Sequence, residues 1–151
     1  MIELDTKDRE ILRALQKSGG LKASELGKKI ELTQPSTWRR IKRLQEGGII
    51  TGKRARLNKE KLGFGVTVFL GVKLATKGRV ALSDFENAVA AIPEVQLCQH
   101  VLGLYDYRLK VVARDLSDFE RVLRRRVMTL PGVGEVEANV LLSEERRPIS
   151  L

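Results

Sequence analysis

The densest chemical signal in the sequence is the stretch "TQPSTWRRIKRLQEGG", residues 33–48, in which four of the five residues after Trp38 are cationic. Such a group of cations either binds phosphates and guanine edges or forms a solvated helix face. The following segment adds three more cations, so residues 39–56 carry seven cations and one acid, Glu46. The seven cations are Arg39, Arg40, Lys42, Arg43, Lys53, Arg54 and Arg56. This balance favours a surface that binds a polyanion.

Helical periodicity predicts how these cations are positioned. At about 100° per residue, Thr37, Ile41 and Leu44 form a buried stripe. Trp38 and Arg40 flank that stripe, and we interpret Trp38 as a shield for the core edge rather than a base-stacking residue. The opposite side carries Pro35, Ser36, Arg39, Lys42 and Arg43. Polar residues at the N-terminal end, with cations further along, suit a helix that reads base edges in the major groove.

Two further helices are predicted before this one. Asp5 is the expected N-cap of the first, with Asp8 completing a capping box and Ile11, Leu12 and Leu15 as its apolar stripe. The stretch "KASELGKKI" is the second, and Thr33 caps the third with Pro35 in its first turn. A short helix, a turn and a basic helix form a helix-turn-helix. The predicted DNA-binding residues are Gln34, Pro35, Ser36, Thr37, Arg39, Arg40, Lys42 and Arg43.

Charge is divided unevenly along the chain. Residues 1–60 hold 15 Lys/Arg against 8 Asp/Glu, whereas residues 61–151 hold 13 against 11. The sequence therefore predicts a basic helix-turn-helix domain over 1–60 and a near-neutral domain over 61–151. "IITGKRARLN", at the end of the first domain, reads as two short extended pieces around Gly52, which indicates a small hairpin linking the domains.

The second domain switches to strand periodicity and contains a repeat. In "GVTVFLGVKLA" the apolar residues alternate with others. "LSDFE" occurs at 82–86 and again at 116–120, each copy read as the start of a helix, with the second helix about one turn longer. "VQLCQHVLG" and "YRLKVVA" lie between the copies, and "VEANVLLS" follows. The order is β-α-β-β-α-β, so the expected fold class is α+β with a C-terminal ferredoxin-like domain.

A ferredoxin-like sheet carries its helices on one face only. The strands are apolar enough to require cover on the other face, and we assign Val101, Leu109 and Val111 to the surface that needs it. A second copy of the same sheet is the simplest cover, which predicts a homodimer.

The loop "HVLGLYDY", residues 100–107, combines a glycine with a carboxylate beside two phenols. Gly103 permits a backbone turn, and Asp106 would bind a ligand ammonium group. The alternative is a β-turn with a capping aspartate.

Other chemistry has little support in the sequence. Cys98 and His100 alternate onto one strand face, but two ligands make a poor zinc site, and no catalytic triad, P-loop or dinucleotide motif occurs. We therefore expect no cofactor and no enzyme activity. Arg124–Arg126 reads as an exposed helix face. One cysteine, no apolar run near membrane-span length and a charged start favour a reducing cytoplasm and no membrane partner.

Four segments together resemble the Lrp/AsnC (feast/famine) transcription regulators: "LDTKDREILRALQKSG", "LTQPSTWRRIKRLQEGGIITGKRARLNKEKLG", "LGLYDYRLKVVARD" and "LPGVGEVEANVLL". The resemblance implies a winged or plain helix-turn-helix and a ligand-sensing domain, with dimers that assemble into tetramers or octamers. It further implies an amino acid or related metabolite bound between dimers. The implied effector residues are His100, Gly103, Leu104, Tyr105, Asp106 and Asn139. Leu104 departs from the polar or acidic residue that relatives often carry there, and Asn139 from a small hydroxyl or aromatic residue.

The function expected is a sequence-specific regulator that binds double-stranded DNA. A rival on the same architecture is a siroheme-decarboxylase-like enzyme using His100, Tyr105, Tyr107 and Arg108. A third alternative, a sensing subunit without DNA contacts, is disfavoured by the basic first domain.

Overall fold

A computed structural model describes residues 2–75 and 78–151, and its first compact unit is helical. The helices are α1 (Thr6–Lys17), α2 (Ala23–Ile30) and α3 (Gln34–Glu46). The Asp5–Asp8 capping box begins α1, as predicted. The Thr33 side chain accepts a hydrogen bond from Ser36 N at the start of α3, where Pro35 stands in the first turn. Satisfied amide donors at these ends fix where each helix begins.

One apolar core holds the three helices together. Its buried residues are Ile11, Leu12, Leu26, Ile30 and Leu44. At Gly27 an added Cβ would lie 2.6 Å from the Leu32 carbonyl oxygen and 2.9 Å from Thr37 Oγ1. The α2–α3 turn therefore approaches α2 so closely that only glycine fits there.

The hairpin predicted after α3 is wrong, because no strand is assigned between residues 47 and 65. The amides of Ile49 and Ile50 both donate to the Leu44 carbonyl, so these residues close the end of α3 instead of starting a ladder. Residues 51–58 are exposed along their whole length. An isolated hairpin with no apolar face to bury has little to stabilise it.

The second unit has the predicted β-α-β-β-α-β order. Its elements are β1 (Val66–Leu74), α4 (Arg79–Ala90), β2 (Val95–His100), β3 (Tyr107–Ala113), α5 (Leu116–Val122) with a π-helical turn (Leu123–Val127), and β4 (Val133–Val140). The strands form one sheet in the order β2-β3-β1-β4, and every neighbouring pair is antiparallel. The expected α+β class and ferredoxin-like topology are confirmed.

The two copies of "LSDFE" do not play the same role, contrary to prediction. The second copy does start a helix, because Asp115 immediately before it accepts a hydrogen bond from Asp118 N. The first copy lies inside α4, which begins three residues earlier behind Gly78. The second helix is not a turn longer either, since Arg79–Ala90 spans 12 residues and α5 together with its π-helical turn, Leu116–Val127, also spans 12.

The helices cover one face of the sheet. Phe85, Val89, Phe119 and Val122 pack there on the strand residues that point toward them. Leu109 and Val111 are fully buried on this helix-covered face, so assigning them to the face that needs cover is wrong. The uncovered face carries the alternate residues of each strand, including Phe69, Gly71, Arg108, Lys110, Glu135, Glu137 and Asn139.

The chain divides into two compact units. One runs up to Arg56 and also contains Glu145–Leu151; the other is Leu57–Glu144. Within the first, Leu151 packs against the helical core and its carbonyl oxygen accepts a hydrogen bond from Arg13 Nη2. Among the described residues, no helix is both long enough and apolar enough to span a membrane.

Candidate DNA-binding and effector-binding surfaces

The exposed face of α3 presents two cations at its centre. Arg39 is exposed and forms no ion pair within residues 2–75 and 78–151. Lys42 is also exposed, with its Nζ 3.7 Å from Glu46 Oε1 and 5.2 Å from the centroid of the Trp38 ring. The Trp38 side chain is 55% exposed rather than covering the core edge. Both Arg39 and the Lys42 ammonium group, which lies over the Trp38 ring, are therefore accessible to solvent on this face.

The first turn of α3 is only partly available to a ligand. Gln34 and Pro35 are exposed and Ser36 is half-buried. Thr37 is fully buried, and its hydroxyl donates to the Thr33 carbonyl oxygen at 3.0 Å. Thr37 therefore belongs to the core stripe and not to the exposed face.

Arg40 and Arg43 are tied to α1. Arg40 Nη1 lies 2.6 Å from Asp5 Oδ2 and 2.9 Å from Asp8 Oδ1, and Arg43 Nη2 donates to Asp8 Oδ2. The Asp8 side chain is fully buried, whereas that of Arg43 is 48% exposed. The Asp8 amide and the guanidinium of Arg40 hold the pKa of Asp5 at about 2. Three of the four predicted α3 cations thus have an acidic partner within their own unit, but only Arg40 and Arg43 reach the buried Asp8 carboxylate.

A second basic surface follows α3. Lys53, Arg54 and Arg56 are exposed and line a groove of about 770 Å³ whose apolar wall includes Leu12 and Ile50. The sequence predicted cations here, but it did not predict the groove, because α1 supplies one of its walls.

The loop after β2 places Tyr105 across the uncovered face of the sheet. Its ring lies over Gly71, where an added Cβ would be 2.6 Å from Tyr105 Cδ2. Its hydroxyl donates to Glu137, and Asn139 Nδ2 donates to Glu137 Oε1 at 2.9 Å. The hydrogen bond to Glu137 raises the pKa of Tyr105 and lowers that of Glu137. Tyr105 and Asn139 are thus brought together through a carboxylate that the sequence did not single out.

Asp106 makes a backbone contact. Its Oδ2 accepts from Leu74 N at 2.8 Å, where the β1–β4 register shifts between Lys73 and Leu74. Its own amide donates to the Val72 carbonyl at 2.9 Å. The carboxylate therefore fastens the loop to the end of β1.

Leu102, Gly103 and Leu104 are the exposed residues of the loop. Gly103 is not among the residues with positive φ, and an added Cβ there would meet nothing within 4 Å, so the turn does not require glycine. Leu104 is 74% exposed and Leu102 is fully exposed. Both leucines form an apolar tip on the loop.

His100 lies on the other side of the sheet from Tyr105. Its ring stacks on buried Tyr107 with centroids 4.8 Å apart, in a groove of about 390 Å³ that also includes Glu86 and Cys98. Burial, with the hydrogen bond to Glu86 at 2.6 Å, raises the pKa of Tyr107, and burial also raises the pKa of the Cys98 thiol. No group of three or more potential metal ligands occurs among the described residues.

The four residues of the decarboxylase alternative do not share a site. Tyr107 is fully buried beneath α4 and stacks on His100, whereas Arg108 points to the uncovered face, on which Tyr105 lies.

Two family models match the chain. One, for the Lrp/AsnC ligand binding domain, matches residues 67–149, and the other, for a winged helix-turn-helix DNA-binding domain, matches residues 4–51. Together they follow the order of the two units along the chain.

Known relatives match over nearly the full length. The chain is 37% identical to a proline dehydrogenase transcriptional activator of Rhizobium radiobacter, over 93% of this chain and 90% of the relative. It is 33% identical to a leucine-responsive regulatory protein of Haemophilus influenzae, over 95% and 87%. A transcriptional regulator of Neisseria meningitidis, solved as a complex with L-Met, has a TM-score of 0.90 at 30% identity, over 99% and 96%. These comparisons lend no support to the enzyme alternative. The chain belongs to the Lrp/AsnC family of transcriptional regulators.

Proposed function

We propose that the exposed face of α3 binds one specific DNA sequence, with Arg39 and Lys42 at its centre and Gln34, Pro35 and Ser36 at its leading end. The observation that carries this proposal is that Arg39 is exposed and has no acidic partner within the described residues. A guanidinium in that position reaches guanine O6 and N7 or a phosphate without first losing an ion pair.

Two kinds of contact, to phosphates and to base edges, would hold the DNA. Cations displace counterions from DNA phosphates and supply most of the affinity, while the first turn of α3 meets base edges in the major groove. Lys53, Arg54 and Arg56 add exposed positive charge after α3. A protein that acts on chromosomal DNA works in the compartment that holds it, so we assign this regulator to the cytoplasm.

We infer that a second copy of the chain covers the uncovered face of the sheet. That face has a basic side, where Arg108 and Lys110 lie 5.8 and 5.5 Å from the Phe69 ring centroid. Its other side is acidic, with Glu135 and Glu137 on β4. A two-fold axis running along the strands would bring basic β3 against acidic β4 of the second copy, which suits an isologous interface. Such dimers would present two α3 helices to half-sites about one DNA turn apart, or a multiple of it.

Tetramers or octamers of these dimers would then enclose the effector. The L-Met complex of the Neisseria relative favours an amino acid as the effector. Because β4 is an edge strand, the cluster of Tyr105, Glu137 and Asn139 would lie at the rim of the paired sheets. We propose that these three residues form the polar wall of the effector site there, and that Leu102 and Leu104 supply apolar contacts. Asp106 keeps the loop in place, and binding would change DNA affinity by favouring one assembly over another.

The DNA proposal is tested with a duplex selected from a random pool by the wild-type protein. Arg39→Ala should weaken binding to that duplex by about 1–3 kcal/mol if the residue contacts a base, while a scrambled duplex changes much less. Arg125→Ala is the matched control, because Arg125 is an exposed arginine on the second unit. Equal binding by wild type and Arg39→Ala on both duplexes would reject the α3 surface.

The effector proposal is tested by thermal shift with each of the twenty amino acids. A true ligand stabilises by mass action, about 2.7 kcal/mol at a hundred times its Kd. Asn139→Ala should reduce that shift while leaving DNA affinity in the absence of effector unchanged. A thermal shift as large as that of the wild type would show that Asn139 does not contact the effector.

A further inference from the structure

The buried carboxylate of Asp8 is the least expected polar group in the first unit. Its side chain is fully buried, and it accepts hydrogen bonds from Asp5 N at 3.1 Å, from Arg40 Nη1 at 2.9 Å and from Arg43 Nη2. A capping-box residue needs only the first of these contacts. The other two come from α3, 32 and 35 residues away in sequence.

We infer that Asp8 is a positioning residue for DNA recognition: it holds Arg40 and Arg43 so that α3 presents Arg39 and Lys42 to the duplex. This inference rests on the proposed function of α3. It also assigns Arg40 and Arg43 to the anchoring of the helix rather than to phosphate contacts.

Helix geometry places the two anchoring arginines and the two DNA-facing cations on different sides of α3. Arg40 and Arg43 are three residues apart, so they lie on one side of α3 and reach one carboxylate together. Arg39 and Lys42 are also three residues apart, on the neighbouring side. Charge-assisted bonds to a buried carboxylate have little competition from water, so they fix the rotation of α3 about its own axis against α1.

The paired groups also cancel in charge. Arg40 contacts both Asp5 and Asp8, and Arg43 contacts Asp8, so two guanidinium groups face two carboxylates. A guanidinium that turned to a DNA phosphate would leave the buried carboxylate of Asp8 with less compensation, which is costly. Retaining these pairs in the DNA complex is therefore the favoured state.

The direction of the change in DNA affinity decides between positioning and long-range electrostatics. Asp8→Asn removes one negative charge from a DNA-binding unit, so long-range electrostatics alone would tighten binding to the selected duplex. Positioning predicts the opposite, a loss of at least about tenfold in affinity for the selected duplex. Glu46→Gln is the matched control, since it removes an acid from α3 itself, frees Lys42 and should tighten binding. Affinities are measured with the full-length protein at temperatures where circular dichroism shows each variant folded.

Arg43→Gln provides a second route that leaves the α1 capping box intact. An anchoring role predicts weaker binding to the selected duplex with an unchanged dependence of affinity on salt. A phosphate contact predicts that the slope of log affinity against log salt falls by about 0.9. A double variant with Asp8→Asn should lose no more affinity than the larger single loss, because both changes break one contact.

The outcomes separate the two proposals. If Arg39→Ala weakens binding but Asp8→Asn binds as tightly as wild type or tighter, Asp8 does not position α3 and the DNA surface stands. A fall in the salt slope for Arg43→Gln would likewise overturn the anchoring role. If Arg39→Ala has no effect, the proposed DNA surface itself is wrong.

Discussion

Asp8 in the helical unit and Asp106 in the sheet unit have comparable structural roles, because each carboxylate connects two segments of its unit. Asp8 contacts two arginines of α3, and Asp106 accepts the amide of Leu74 at the end of β1. The surfaces beside them differ. The exposed cations of α3 all come from one helix of a single chain. The cluster of Tyr105, Glu137 and Asn139 lies instead on an uncovered sheet face, beside a loop with exposed leucines at its tip. On the proposed function, the DNA surface is complete on one subunit, whereas the effector surface gains its remaining walls from assembly.

Removing the Asp106 carboxylate should have the largest effect on stability. Asp106→Ala leaves the Leu74 amide without its acceptor and should lower the free energy of unfolding by about 1.5–3 kcal/mol, measured by urea denaturation. Asp106→Asn is the control, since its amide oxygen can still accept that hydrogen bond and should restore most of the loss. Equal destabilisation by both variants would mean that the charge, and not the backbone contact, matters.

Filling the space under Tyr105 should have the next largest effect. Gly71→Ala places a Cβ within 3 Å of the Tyr105 ring, so the ring must move and break its contact with Glu137. We expect a loss of about 1 kcal/mol in the free energy of unfolding, and a loss of the amino-acid thermal shift. Gly103→Ala meets no atom within 4 Å and should change stability by less than about 0.5 kcal/mol. If Gly103→Ala proved the more harmful change, the position of the loop would be wrong.

The smallest effect is an acid dependence in the helical unit. The pKa of Asp5 is lowered from 3.8 to about 2, so its stabilising contribution is fully present above about pH 4 and is lost as pH falls through 2. Asp5→Asn should therefore destabilise the protein at neutral pH and make its stability less dependent on pH between 4 and 2. Thermal unfolding across that range measures the difference. An unchanged acid profile would show that the Asp8 amide and Arg40 do not lower the pKa of Asp5 in solution.

Local pattern predicted the elements well where caps and periodicity agreed. Thr33 and the Thr37–Leu44 stripe specified α3, and the alternation around Val68 specified β1. The start of α4 was missed because its N-cap is Gly78, which offers no side-chain cap, while Ser83 and Asp84 resemble a cap inside the helix.

The two sites were predictable to different extents, for a physical reason. Exposure of Arg39 and Lys42 follows from their angular position on one helix. The partners of Arg43 and Asp106 lie 35 and 32 residues away, and such contacts depend on packing that local spacing does not encode. Glu137 was overlooked although period-two alternation places it on the same strand face as Asn139.

The most direct measurement is the salt dependence of DNA binding by wild type and by the double variant Arg39→Ala/Lys42→Ala. With both cations on phosphates, the slope of log affinity against log salt falls by about 1.8, twice the value for one contact. With one on a base and one on a phosphate, it falls by about 0.9 and discrimination between selected and scrambled duplex also falls. A variant with wild-type slope and wild-type discrimination would contradict the central claim that the exposed face of α3 binds DNA.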